Sequence, residues 1–247
     1  MTNWVCTICD KNLEKYFNMM VDTLKKYNDC NVILNHNGNF AKRDDVIYFD
    51  IPDIEWNNRI QTCKIERVQR ESKKFQEGDR IYILDVDMLI KDDIFSIFDI
   101  KEFDVCYTSR HYDYHYSVNA GTCGMRWNDK SKKWLNFYIE QIYNPRWRPL
   151  VGFRNKWNRD RNPRKWWWVD QDFLCAMHNN KGSMPFDCNV IDLGSKYNYC
   201  PSAPDRITIK QADKEMWEKL EDNDYKILHF KGKMKRTMEN IYKKIME

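Results

Sequence analysis

Residues 80–90 read Arg80-Ile81-Tyr82-Ile83-Leu84-Asp85-Val86-Asp87-Met88-Leu89-Ile90, an apolar run that breaks into two carboxylates one residue apart. A short apolar run bounded by charge predicts a buried strand of a mostly parallel sheet, and in open α/β sheets ligands gather just beyond the carboxyl ends of such strands. In a fully regular strand Asp85 and Asp87 point the same way and reach one hard cation through oxygen ligands. Solvated aspartates in a turn spell the same D-x-D. The weight of the motif therefore comes from the strand before it and from what accompanies it elsewhere in the chain.

Outward from this strand the chain alternates. Residues 4–8 predict a first strand, and Leu13, Tyr16, Phe17, Met20 and Leu24 have the spacing of a helix from about 12 to 27. Residues 31–34 and 46–49 read as short strands, and a helix over about 56–75 leads into the Asp-Val-Asp strand. Downstream, residues 104–108 form another strand, and residues 118–127 cross the sheet or lie beside it. A helix over 131–143 carries Trp134, Leu135, Tyr138, Ile139 and Ile142 on one side. This order predicts an α/β fold with a mostly parallel central sheet and helices on both faces. Pro145, Pro149, Gly152 and Pro163 interrupt the pattern, and Trp166 begins a new apolar helix. With no repeat or flexible linker, residues 1–247 read as a single domain.

Composition narrows the class. A chain of 247 residues buries a core without disulfide or metal staples. The net charge of +4, from 41 basic and 37 acidic residues, gives no whole-protein signal for nucleic acid, and none is expected as a partner. The nine cysteines (6, 9, 30, 63, 106, 123, 175, 188 and 200) are an odd set, several inside apolar runs, which suits reduced core thiols in a reducing compartment. Cys6 and Cys9 form a C-x-x-C, but Cys6 sits in an apolar strand and no second pair follows at zinc spacing. No run of 18 apolar residues is present, so no transmembrane segment is expected, and the amino-terminal residues lack the pattern of a secretory signal. The expected location is cytoplasmic.

Three further constellations join the aspartate pair: Val118-Asn119-Ala120-Gly121, Asp170-Gln171-Asp172, and His229-Phe230-Lys231-Gly232-Lys233-Met234-Lys235. Each has a plain structural explanation, respectively a strand-end turn, an acidic helix amino terminus and a core histidine. In combination and order they resemble the glycogenin-like and bacterial lipooligosaccharide galactosyltransferase-like enzymes, retaining nucleotide-sugar glycosyltransferases with a GT-A (Rossmann-like) fold. The resemblance touches motifs from residue 7 to residue 235. It implies that Asp85 and Asp87 hold Mn2+ or Mg2+ against the donor diphosphate, that His229 is the third protein ligand, and that Gly232 and Lys235 meet the diphosphate. Asn119, Ala120 and Gly121 would contact the donor sugar. Asp170 and Gln171 would lie beside the anomeric carbon, with Asp172 completing the D-Q-D. Thr7, Asp10 and Asn12 resemble the loop that holds uridine, although Leu13 stands where the family has an aromatic residue. A basic residue from the helix before the D-x-D is implied as a donor contact, and the spacing leaves Lys64 and Arg67 equally open. Ser195-Lys196-Tyr197-Asn198 resembles a segment that packs near the active site, while Arg236 and Thr237 replace the family's proline and tryptophan.

On this resemblance, residues up to about 87 are the nucleotide-binding half and residues 88–247 the acceptor-binding half. The latter contains a loop over 145–168 with eight basic residues against Asp160 alone, interleaved with tryptophans. Aromatic faces stack on sugars and arginines clamp anions, which makes Arg154, Trp157, Arg164 and Trp167 the candidate acceptor contacts. The expected activity is metal-dependent transfer of a hexose or pentose from a UDP-sugar to a glycan, glycolipid, glycoprotein or other hydroxyl acceptor, with retention implied by the resemblance alone. Two alternatives stay open. One is a non-catalytic module that grips polysaccharide or nucleic acid. The other is a haloacid-dehalogenase-like phosphatase, whose usual downstream Gly-Asp-x-x-x-Asp motif is absent.

Overall fold

The computed structural model describes residues 1–52, 64–110, 117–143, 169–179, 184–201 and 208–247. In chain order these form β1 (Asn3–Asp10), α1 (Glu14–Tyr27), β2 (Asn31–Asn37), β3 (Val46–Asp50), the helical residues 64–70 (α2), β4 (Arg80–Leu84), β5 (Met88–Ile90), a short α3 (Ile97–Ile100), β6 (Val105–Ser109) and β7 (Val118–Arg126). There follow α4 (Asp129–Tyr143), α5 (Val169–Asn179), β8 (Val190–Asp192), α6 (Ile209–Glu221), β9 (Ile227–His229) and α7 (Lys235–Met246). Residues 145–168, Cys63 and the first part of the helix expected from residue 56 lie outside the described residues.

Among the described residues, seven strands form one sheet in the order β3-β2-β1-β4-β7-β6-β8. The neighbours from β3 to β4 are parallel, as is the β6–β8 pair, so the sheet is mostly parallel. β7 departs from the uniform alternation by running antiparallel to both β4 and β6. Only the eight residues 110–117 separate it from β6, fewer than the crossover a parallel neighbour needs, so β7 reverses direction. The Asn119-Ala120-Gly121 turn is also corrected: these residues are buried positions at the start of β7.

The strands read as apolar because both faces are covered. Along β4, Tyr82 and Leu84 join the cluster that includes Phe17, Met20 and Leu24 of α1, whereas Ile81 and Ile83 join the one that includes Trp134, Leu135 and Tyr138 of α4. The same period of two puts Cys6 and Cys9 of β1 on opposite faces, which explains why the C-x-x-C makes no site. The eight described cysteines are free thiols, seven of them buried. Among the described residues no helix is long and apolar enough to cross a membrane.

A second, two-stranded sheet pairs β5 with β9. The two aspartates stand at the strand end, and the regular-strand geometry considered for them does not hold. β4 stops at Leu84, Asp85 to Asp87 form a bend, and the chain re-enters extended structure in the second sheet. The change of sheet has an apolar cause. Leu89 and Leu228 pack with Met216 of α6 and Met238 and Ile241 of α7 in a separate cluster, drawing β5 away from the main sheet.

Candidate metal centre

The bend after β4 is held from both sides. Asp85 N–H donates to Gly121 O at 2.9 Å, extending the β4–β7 ladder by one bond. Met88 pairs in register with His229, and Phe230 N–H donates to Asp87 O at 2.7 Å. Backbone hydrogen bonds thus bring together side chains 142 residues apart. His229 Nε2 lies 3.2 Å from Asp87 Oδ1 and 3.7 Å from Asp85 Oδ2, and one donor atom from each of the three residues lies within 4.8 Å of the others.

The hydrogen bonds around His229 fix its tautomer. The Asn198 amide nitrogen donates to Thr108 Oγ1 at 2.9 Å and to Asn119 O at 3.2 Å. A backbone carbonyl only accepts, so this sets the orientation of the Asn198 amide and turns its Oδ1, 2.8 Å away, toward His229 Nδ1. The Asn119 amide nitrogen also approaches Nδ1, but at 3.4 Å against 2.8 Å for Asn198, so the shorter contact decides: Nδ1 carries the proton, and the neutral ring presents a bare Nε2 to two carboxylates. Burial favours that neutral form and lowers the histidine's pKa despite the pull of Asp87. Burial would raise the pKa of Asp87, but the positive charge of Lys235, and of His229 whenever its ring is protonated, outweighs it and holds the carboxyl below the usual range. At Asp85 burial is likewise overcome, chiefly by Lys64. Converging lone pairs with no proton between them suit a cation, and two carboxylates with one imidazole nitrogen are compatible with a divalent metal ion.

Gly121 lines this centre. A Cβ built there would come within 2.6 Å of His229 Cε1, 2.7 Å of Met88 Cε and 2.8 Å of Asp85 Oδ2. Only a residue without a side chain leaves the ligands where they are.

Lysines surround the carboxylates. Lys64, almost fully buried, donates to Asp85 Oδ1 at 2.8 Å and to Ala120 O at 3.2 Å. Lys235 pairs with Asp87 Oδ2. Gly232, at φ +55°, turns the chain between β9 and Lys235 in a conformation that glycine adopts readily. Of the two basic candidates on α2, the structure therefore brings Lys64 to the centre. Arg67 is held elsewhere, donating to Asn35 Oδ1 at 2.5 Å and Glu71 Oε1 at 3.1 Å and lying over the Phe49 ring.

The remaining candidates occupy the surroundings. Thr7 is fully buried, and its hydroxyl donates to Leu84 O at 2.7 Å, tying β1 to β4 just before the bend. Asp10 accepts from Asn12 N at 2.8 Å and Leu13 N at 3.2 Å, opening the 3-10 turn Lys11–Leu13 at the carboxyl end of β1. Gln171 is buried on α5, which packs on β7. The side chains of Asp170 and Asp172 on that helix, and Arg154, Trp157, Arg164 and Trp167, lie outside the described residues. Sequence reasoning quoted two polar residues within their motifs without giving either a role, and the structure does so. Asn198 orients the histidine from within the Lys-Tyr-Asn segment. Lys231, at the variable position of the His-Phe-x-Gly run, donates to Asn119 Oδ1 at 2.8 Å.

No family model and no curated protein matches the sequence. Solved structures do. A glycosyltransferase involved in glycosylation of the major capsid of PBCV-1 aligns over 98% of this chain and 98% of its own, with a TM-score of 0.56 at 11% identity. The glycosyltransferase GlyE of Streptococcus pneumoniae TIGR4 aligns over 100% of this chain and 61% of its own, with a TM-score of 0.57 at 14% identity. The galactosyltransferase LgtC, in complex with donor and acceptor sugar analogues, aligns over 100% of this chain and 97% of its own, with a TM-score of 0.55 at 12% identity. Matched along its whole length to these enzymes, the chain has the GT-A glycosyltransferase fold.

Proposed function

We propose that the protein is a metal-dependent glycosyltransferase that moves a sugar from a UDP-sugar to a hydroxyl of a glycan, glycolipid or glycoprotein, with retention of configuration. The observation that carries this reading is the convergence of Asp85, Asp87 and His229 at the carboxyl end of β4 in a fold shared with glycosyltransferases. Mn2+ or Mg2+ held there supplies Lewis acidity for the departing diphosphate. Lys235 adds a cation that can turn from Asp87 to a phosphate oxygen, and Gly232 allows close backbone approach. Lys64 keeps Asp85 ionised and oriented. Asn119, Ala120 and Gly121 line the sugar side, and Gln171 with Asp170 and Asp172 organises the anomeric centre. One structure of LgtC carries an active-site change of glutamine to glutamate, and Gln171 is the residue of that type we assign here. Asp10 and Asn12 meet the uridine. The basic, tryptophan-rich residues 145–168 receive the acceptor, and the enzyme works in the cytoplasm.

The test is release of UDP from a panel of UDP-sugars. Release should require Mn2+ or Mg2+ and should vanish in Asp87→Ala. Binding of UDP-sugars with neither transfer nor hydrolysis would support the binding-module alternative instead, and metal-independent release would overturn the proposal.

A further inference from the structure

Lys231 differs from the other lysines of the centre in its partner. Lys64 and Lys235 each pair with a carboxylate, whereas the only hydrogen-bond partner of the Lys231 ammonium among the described residues is the neutral amide oxygen of Asn119. That oxygen also accepts from Gly121 N–H at 3.2 Å, so both of its bonds come from obligate donors and the Asn119 amide is fixed. Lys231 is partly buried; burial and the positive charge of Arg110 oppose its own charge, while Cys200 and the two aspartates favour it without bonding to the ammonium. A cation held away from bulk water without a counter-carboxylate is costly unless something else supplies negative charge. The two aspartates act on it only through space: among the described residues neither makes a hydrogen bond or ion pair with Lys231, and each is bonded to a lysine of its own.

We infer that Lys231 is a ligand-binding residue that receives an oxyanion of the donor beside Asn119, adding a third lysine contact to those made by the metal ligands' partners. The inference rests on the nucleotide-sugar reading and deepens it. The oxyanion has two chemical sources, an oxygen of the diphosphate or a carboxylate on the transferred sugar. In either case the ammonium serves the ligand, and its bond to Asn119 holds it in place beforehand. Two donors acting on one amide oxygen keep the ammonium aimed, so little ordering remains to be done when the ligand arrives.

The experiment compares the wild-type protein with Lys231→Gln, which removes the charge and keeps a side-chain donor for Asn119. Lys231→Met is the companion if the first variant does not melt cooperatively. Affinities for UDP, UDP-glucose and UDP-glucuronate are measured by calorimetry in saturating Mn2+, after the Mn2+ affinity itself. The expected result is a loss of at least about tenfold, with Mn2+ affinity unchanged and with recovery in Lys231→Arg. An equal loss for all three ligands assigns the diphosphate, and a loss confined to UDP-glucuronate assigns the sugar carboxylate. Unchanged affinities for all three overturn the inference alone, as does a loss explained entirely by weaker Mn2+ binding. A wild-type protein that binds none of these ligands in the presence of Mn2+ overturns the transferase reading and this assignment with it.

Discussion

Replacing Gly121 with alanine should disable the metal centre while leaving the fold intact. The added methyl would sit 2.6 Å from His229 Cε1, 2.7 Å from Met88 Cε and 2.8 Å from Asp85 Oδ2, all too close for carbon contacts. Gly121 does not have a positive φ, so the cost is steric and not one of backbone strain. Met88 can move its terminal methyl, but His229 is bonded to Asn198 on its far side and Asp85 to Lys64. Overpacking of this kind costs about 1–3 kcal/mol. For a chain of this length each kcal/mol lowers Tm by roughly 2–4 °C. Displacing two of three ligands should also weaken Mn2+ by at least tenfold, about 1.4 kcal/mol. Gly124→Ala is the matched control. Its methyl would lie 2.7 Å from Tyr82 Cε1 and 2.8 Å from Cys106 Sγ, away from the metal ligands. It should lower Tm to a similar degree and leave Mn2+ affinity unchanged. Thermal melts and calorimetric titration with Mn2+ measure both quantities. Wild-type Mn2+ affinity in Gly121→Ala, or equal loss of affinity in both variants, would refute the reasoning.

Two other outcomes follow from the same geometry. Asn198→Ala removes the acceptor that fixes the His229 tautomer and should reduce Mn2+ affinity about 10- to 100-fold, the usual cost of losing such a partner; a change of less than threefold would count against the tautomer assignment. Because the pKa of His229 is lowered from 6.5 in the native state, the unfolded chain takes up the proton first as pH falls. Native stability from this residue is therefore present above about pH 6.5 and lost below it, whereas the depressed Asp85 and Asp87 contribute losses only below about pH 4. The metal-free protein should melt progressively earlier from pH 7 to pH 5, and His229→Asn should flatten that slope; parallel slopes would show that the histidine is not the group responsible.

The strand before Asp85 was legible because burial on both faces forces an unbroken apolar run, and the two faces of β4 show the cause directly. The bend at Asp85 to Asp87 was not, because it arises from packing of Leu89 and Leu228 against helices far along the chain, which no local pattern records. The antiparallel course of β7 was hidden for a related reason, since a buried strand has the same composition in either direction. Within the site, the grouping of Asp85, Asp87 and His229 could be named from motif and resemblance. The choice between Lys64 and Arg67 could not, because both lie on α2 and only the tertiary contacts with Asp85 and with Asn35 distinguish them. Asn198 acts through the imidazole and Lys231 through an amide, and a sequence does not state such pairings.

The β5–β9 ladder is only three residue pairs long, and two-stranded sheets of that size are marginal by themselves. What keeps it closed is the apolar cluster from α6 and α7 behind it, and Lys91 next to it, whose ammonium donates to the carbonyls of Lys219, Leu220 and Asp222 at the end of α6. A cation bridging Asp87 and His229 would therefore act as a cross-link across a loop of 142 residues, and by mass action it would resist any opening of that ladder. Amide hydrogen exchange at Met88 and His229 should slow on metal binding in step with exchange throughout α7. Substitutions deep in the α6–α7 cluster, at Met216 or Ile241, would then loosen the grip on the ion without touching a single ligand.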